Sequence, residues 1–507
     1  MLIKEKIMQY VASMVALIAI ITGHSICYAR NSSVDTFLQN QEIIRVAMSD
    51  SGGYGDLTSS INVMNRLREM GYKNTFEVIY PDESTDKIIN LFDLPTDIPN
   101  IYDDVKSKIR FIKLHEFMKL NATNKIDQVS FGITGALWYN EYMDGAGRFK
   151  NLADFLNVKK FAWTSPWIAS AFPPEISHIF NLVFITQHEP YQFNESGSYI
   201  VAPIADLTQV KDYLHNNPHG QNLSEKNPAL QSFIDGMERK DFNVFSVYGW
   251  PINKKINEQY DHDSSPGNML QIITGARYAQ VYGPNRLRNK PLIIAVYYDY
   301  SDEIKQLDDV IHHNNWNWGQ KENDGIKQAR QAIQQLGLDQ PNVLSFAKTS
   351  SPETISQIQK LKPGQILLLS MGPLPKFVFD GVYSYTGDNV LPQVREGMGS
   401  LSSLIRTGKP HIRCGDQSAT LPQWDLGFDL VADPMLKIRL QKFYSQFCGN
   451  MQTWQINEDI YKLLGNLIIE AEDPNSAFSL YFQRIKAEIS KPENDRIYRA
   501  LEESMRY

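Results

Sequence analysis

The chain has 507 residues, of which 42% are hydrophobic, 11% aromatic and 21% charged, and its formal net charge is −7. That length exceeds one ordinary core and predicts at least two domains, while the composition excludes disordered and collagen-like classes. A mildly acidic chain without a basic run is not built for sequence-independent nucleic-acid binding, so no nucleic-acid partner is expected.

The N-terminus departs from this average. Lys4 and Lys6 precede an apolar stretch from Val11 to Ile21, and Cys27 and Ala29 supply small residues at signal-peptidase spacing. This pattern predicts a cleavable signal over residues 1–29 and an exported protein, secreted or delivered to another cell. The apolar run is shorter than the roughly 20 residues of a membrane span. An anchor retained over residues 11–21 is the alternative. Cys414 and Cys448 read as separate buried thiols rather than a disulfide scaffold, and no cysteine spacing suggests zinc.

Past residue 30 the pattern alternates. Ile43 to Met48 reads as a buried strand and Leu57 to Met70 as a helix, with Leu57, Ile61, Met64 and Leu67 on one face and Gly71 closing it. Strands follow at Phe76–Tyr80, Ile109–Leu114, Val129–Thr134, Leu182–Thr186, Tyr199–Ile204 and Val244–Tyr248, with helical pieces between several of them. Polar residues Gln259 to Gly267 and a basic loop at Asn285 to Lys290 suggest a lobe boundary near residue 285. Then the pattern restarts. Strands at Leu292–Tyr298, Asn342–Phe346, Ile366–Ser370, Val390–Val394 and Pro410–Arg413 alternate with helices at Asp324–Leu336, Pro352–Leu361 and Leu401–Arg406. The expected architecture is α/β with two Rossmann-like lobes facing a cleft: residues 30–285, residues 286–434 and a helical tail over residues 435–507.

Two segments carry candidate chemistry. The first strand runs into Asp50-Ser51-Gly52-Gly53-Tyr54-Gly55-Asp56 and then a helix. Gly52, Gly53 and Gly55 allow a ligand close to the backbone at a helix N-terminus, although the spacing is neither a dinucleotide fingerprint nor a phosphate-cradling loop. Asp56 lies where ligands bind in open α/β sheets and could take a proton from an acceptor; it could equally cap the helix. The second segment runs from Met371 to Trp424. Gly397 and Gly399 clear space at a strand-to-helix turn, where Ser400 and the following N–H groups could hold a phosphate. Arg395 could grip a diphosphate bidentately, Glu396 could accept from ribose hydroxyls, and Asp416 with Gln417 could bracket a sugar.

This second segment resembles the donor-binding region of GT-B glycosyltransferases. The likeness rests on Glu396-Gly397-Met398-Gly399-Ser400, Gly408-Lys409-Pro410 and Asp416-Gln417. Together with Phe379-Asp380 and Gly55-Asp56, it is also similar to the protein-arginine rhamnosyltransferases. The resemblance implies a nucleotide-sugar donor, with Arg395, Glu396 and Ser400 on the diphosphate and ribose and Asp416 and Gln417 on the sugar. Asp56 would be the base or would orient the acceptor. GT-B enzymes generally take no metal ligands from the protein, so no metal and no cofactor beyond the nucleotide-sugar co-substrate are expected. The acceptor is open. Two departures stand out: Arg395 and Glu396 are adjacent, where the rhamnosyltransferases separate them by a glycine, and the first loop has no histidine like that of many plant-type transferases.

Asp261-His262-Asp263 resembles a metal motif of a different transferase fold but lacks its strand context. His312-His313 near Trp316 and Trp318 reads as a loop with half-buried aromatics. Asn121, Asn194 and Asn222 open glycosylation-type triplets, and there is no serine-hydrolase elbow. The competing function is an exported two-lobed solute-binding protein without catalysis.

Overall fold

A computed structural model describes residues 32–50, 55–135, 152–164, 182–184, 206–248, 264–297, 301–315, 324–395, 397–413, 428–447 and 458–506. The first sheet is built from β1 (Ile43–Ala47), β2 (Thr75–Tyr80), β3 (Ile101–Asp104), β4 (Ile109–Lys113), β5 (Val129–Thr134), β6 (Val158–Trp163) and β7 (Leu182–Phe184). Its order is β3-β4-β2-β1-β5-β6-β7. All pairs are parallel except β3–β4, an antiparallel edge. Without that edge the order is the doubly wound one, reversing direction between β1 and β5. β1 is almost wholly buried, as a parallel strand covered on both faces must be.

The second sheet takes β8 (Asn243–Val247), β9 (Leu292–Val296), β10 (Leu344–Lys348), β11 (Ile366–Ser370), β12 (Gln393–Arg395) and β13 (His411–Arg413). They lie in the order β10-β11-β9-β8-β12-β13, all parallel. Its direction reverses between β8 and β12.

The lobe boundary differs from the one expected near residue 285. β8 hydrogen-bonds to β9 and β12, inside the second sheet. Leu207, Val210 and Leu214, with Leu230 and Phe233 from a later helix, share one apolar cluster with Val244, Ile293 and Leu367. The chain therefore leaves the first sheet between Phe184 and Leu207. Ser-Ser-Pro-Gly at residues 264–267 is no linker but the first turn of the helix Ser264–Tyr282, where proline is tolerated.

The tail also differs from a separate helical appendage. Helices Pro434–Phe447, Glu458–Glu470 and Ala477–Ile489 join the second lobe's core through Leu440, Leu464 and Phe482. The last helix, Arg496–Arg506, crosses back: Ile497, Ala500 and Leu501 are buried with Val34, Val46 and Ile133 of the first lobe. No helix among the described residues is long and apolar enough to cross a membrane.

Candidate functional site

Open α/β sheets bind ligands outside the carboxyl ends of the strands where the winding reverses. In the first lobe that place is the end of β1 and β5. The helix Gly55–Glu69 starts there and is fastened to both strands. Ser59 Oγ donates to the Gly135 carbonyl at 3.2 Å, the Gly135 N–H donates to Ser60 Oγ at 3.2 Å, and Ser60 Oγ lies 3.5 Å from the Ala47 carbonyl. Gly135 must lack a side chain, because a Cβ would sit 2.4 Å from the Ser59 carbonyl carbon.

Asp56 is the second residue of that helix and is 2% exposed. It lies inside the first turn, past the N-cap position, where a carboxylate faces the positive end of the helix dipole. Asp50, just after β1, is engaged within its own lobe: Lys87 Nζ sits 2.7 Å from its carboxylate and Ser84 Oγ donates to it at 2.9 Å.

In the second lobe the reversal lies at the ends of β8 and β12. Arg395 closes β12 and is buried, and it pairs in register with Arg413, the last residue of β13. Register partners in parallel strands project from the same face, so both arginine side chains leave the sheet on one side at its carboxyl end. The helix Gly397–Ile405 begins directly beyond, with Ser400 buried in its first turn. Its N–H groups and the two arginines make an electropositive corner suited to an anion.

That corner is braced by the helix Lys376–Tyr383. Lys376 and Asp380 form a buried ion pair at 2.5 Å, and Ser403 Oγ donates to Asp380 at 3.2 Å. The Tyr383 hydroxyl donates to the Val394 carbonyl at 2.9 Å. Phe379 stacks on Tyr383 at 4.9 Å, with Tyr248 and Tyr297 completing an aromatic group at the ends of β8 and β9. Burial pushes the Tyr297 hydroxyl well above its usual range, so it stays a neutral partner for Ser246 Oγ at 3.2 Å.

The helices that start at the two reversal points meet across the lobes. The helices Gly55–Glu69 and Gly397–Ile405, one from each lobe, pack against each other. Arg406 reaches Glu69 at 3.0 Å, and Arg66 on the same first-lobe helix holds Asp495 at 2.7 Å in a buried pair. A second contact joins the helices Thr85–Phe92 and Lys376–Tyr383, beside which Asp93 meets His219 at 3.2 Å. The molecule is thus two Rossmann-like lobes in contact through these helices.

No protein-family model and no curated protein matches the sequence. Among solved structures, the chain is similar to a glycosyl transferase family 9 protein from Veillonella parvula, with 9% identity over 74% of this chain and 80% of that one and a TM-score of 0.33. It is similar also to an α,α-trehalose-phosphate synthase (UDP-forming) from Burkholderia vietnamiensis, with 8% identity, coverage of 90% and 98%, and a TM-score of 0.32. An α-glucosyltransferase solved with UDP and DNA matches at 11% identity, coverage of 88% and 99%, and a TM-score of 0.31. These likenesses are loose, and the site geometry stands without them.

Of the residues expected from sequence, Gly55 and Asp56 sit on the helix Gly55–Glu69, Gly397, Gly399 and Ser400 on the helix Gly397–Ile405, and Arg395 on β12 just before it. Gly52, Gly53, Glu396, Asp416 and Gln417 lie outside the described residues, as do Cys414, Cys448, Asp261, His262 and Asp263. Gly408, with φ of +69°, and Lys409 precede β13 and so lie at the opposite end of the sheet, shaping a turn rather than the crevice. His312 is on the helix Ser301–His313, its Nδ1 2.6 Å from Asp308, rather than in a loop. Among the described residues no group of three or more His, Cys, Asp or Glu is arranged to hold a metal. Sequence reasoning missed Arg413, visible only as the residue ending the strand beside β12, and Gly135, whose need depends on which helix crosses it.

Proposed function

We propose that the chain is a nucleotide-sugar-dependent glycosyltransferase of the GT-B type. The observation that carries this reading is the packing of Gly55–Glu69 on Gly397–Ile405, the helices that start at the reversal points of the two sheets, because transfer between two bound substrates requires two such sites to face each other. The second lobe would take the donor, its diphosphate against Arg395, Arg413 and the N-terminus of Gly397–Ile405. The first lobe would take the acceptor. In the transfer step Asp56 accepts the acceptor's proton as its oxygen or nitrogen bonds to the anomeric carbon. The bond from that carbon to phosphate breaks, its electron pair leaving with the nucleoside diphosphate, which the arginines and helix dipole stabilise. Glu396, Asp416 and Gln417 are assigned to the ribose and sugar, Gly52 and Gly53 to the acceptor loop. None of these steps invokes a metal. Residues 1–29 would act as an export signal, consistent with their charge and apolar pattern.

The test is ligand-dependent stability. A nucleotide sugar at about a hundred times its Kd adds about 2.7 kcal/mol to the folded state. Thermal melts of the purified protein with UDP-, GDP-, dTDP- and ADP-sugars, with and without EDTA, should show a rise for one nucleotide class that survives EDTA and is lost in Arg395→Ala. A rise only with free sugars or amino acids would identify a solute-binding protein instead. Asp56→Asn should abolish turnover yet keep the donor-induced rise; full turnover in that variant removes Asp56 from the chemistry.

A further inference from the structure

Resting on the reading of the β12 turn as the nucleotide-binding element, we propose that Asp380 is a positioning residue that sets the placement of the helix Gly397–Ile405 through Ser403. Asp380 touches no open space. It is 5% exposed, one carboxylate oxygen held by Lys376 Nζ at 2.5 Å and the other accepting from Ser403 Oγ at 3.2 Å. Lys376 and Ser403 are buried with it. A buried carboxylate with a single lysine partner would keep acceptor capacity unused; Ser403 fills it and thereby ties two helices together.

The tie is directional. The helix Lys376–Tyr383 is fixed to the strand ahead of the turn by the Tyr383 hydroxyl on the Val394 carbonyl, at 2.9 Å, and by the Gln393 side-chain amide on the Tyr383 carbonyl, at 2.5 Å. These bonds hold the residues just before Arg395. Ser403 holds the residues after it. One helix thus grips the turn from both sides, and Asp380 supplies the second grip. The same helix packs against Thr85–Phe92 of the first lobe, so the approach of the lobes and the aim of the anion corner share one rigid part.

Ser403→Ala tests this most cleanly, since it leaves the Lys376–Asp380 pair in place. Hydrogen exchange on the full chain should show the amides of residues 397–405 opening about tenfold or more faster, as losing a bond to a charged group implies. β11 and the helix Gly55–Glu69 should keep wild-type rates. Unchanged rates in 397–405, or equal acceleration across the second lobe, overturn the proposal. Asp380→Asn alone strands a buried ammonium and is expected to destabilise the fold. Lys376→Met with Asp380→Asn removes both charges and retains an acceptor for Ser403, so its exchange in 397–405 should return to near wild-type; exchange as fast as in Ser403→Ala overturns the proposal. With UDP, GDP, dTDP and ADP as probes, the nucleotide bound by the wild type should bind Ser403→Ala about tenfold more weakly at a temperature where both proteins are folded, and equal affinity overturns positioning. If none of the four binds the wild type, the transferase reading fails, and the exchange rates alone decide whether Asp380 places the helix.

Discussion

Gly135 and Lys409 show how single positions constrain this molecule. In Gly135→Ala the new Cβ would press on helix backbone, at 2.4 Å from the Ser59 carbonyl carbon and 2.6 Å from the Ser60 nitrogen, and backbone cannot swing aside. The expected cost is about 1–3 kcal/mol, read from denaturant midpoints. Lys409 is half-buried, and burial, then the charge of Arg286, lowers its pKa below the ordinary lysine value of 10.5. The unfolded chain therefore binds more protons between the folded and unfolded values, and stability rises with pH across that window. Lys409→Met should raise Tm at neutral pH, with the gain shrinking as pH climbs toward 10.5; a constant gain would mean the charge is not what the burial opposes. Neither role is legible in the sequence. Gly135 follows an ordinary strand, and the glycine rule applies only once the helix crossing it is known. The placement of Arg395 at a strand end and of Ser400 in a helix's first turn was legible, because a strand, two glycines and a helix start lie within a few residues.

At the level of elements, the helix Gly55–Glu69 departs most from its pattern. Its spacing predicts one apolar stripe. The structure buries Leu57, Ile61, Met64 and Leu67 but also Ser59, Asn62 and Arg66: Ser59 lies against Gly135 after β5, and the second lobe and the C-terminal helix cover a further face. Polar residues on a helix read as solvent-facing until a partner from elsewhere in the chain is known. The two ion pairs on this face should behave differently. Arg66–Asp495 is buried on both sides, and Asp495→Asn leaves the guanidinium only its partly exposed partner Glu69 at 2.9 Å, so it should cost about 3 kcal/mol. Arg406–Glu69 is partly exposed, and Arg406→Ala should cost at most about 1 kcal/mol. Urea melts of the two variants separate these expectations; equal losses would refute the ranking.

For the whole molecule, the strands were readable as short apolar runs, but their membership of one sheet or the other was not. Asn243–Val247 is buried throughout, and such a run carries no mark of the sheet it joins. That is why the polar stretch before residue 267 and the basic loop near residue 285 read as a boundary in sequence, while the second sheet's own strand β8 lies upstream of them. The last helix was likewise readable as a helix and not as part of the first lobe. Removing residues 496–507 should expose first-lobe apolar surface and forfeit about 3–6 kcal/mol from Ile497 and Leu501 alone. Calorimetry should then resolve a first-lobe transition at lower temperature than the second; a single unshifted transition would show that the helix is dispensable.

The return of that helix has a consequence for biosynthesis. The described strands of the first sheet have all been made by Phe184, yet the helix that covers part of it begins at Arg496, about 300 residues later. At ordinary translation speeds the nascent first lobe waits roughly 15 to 60 s with that face open. It must be sheltered or kept loose until the last turn of chain arrives, and premature termination anywhere in the second lobe leaves a sticky, half-finished product rather than a stable amino-terminal fragment.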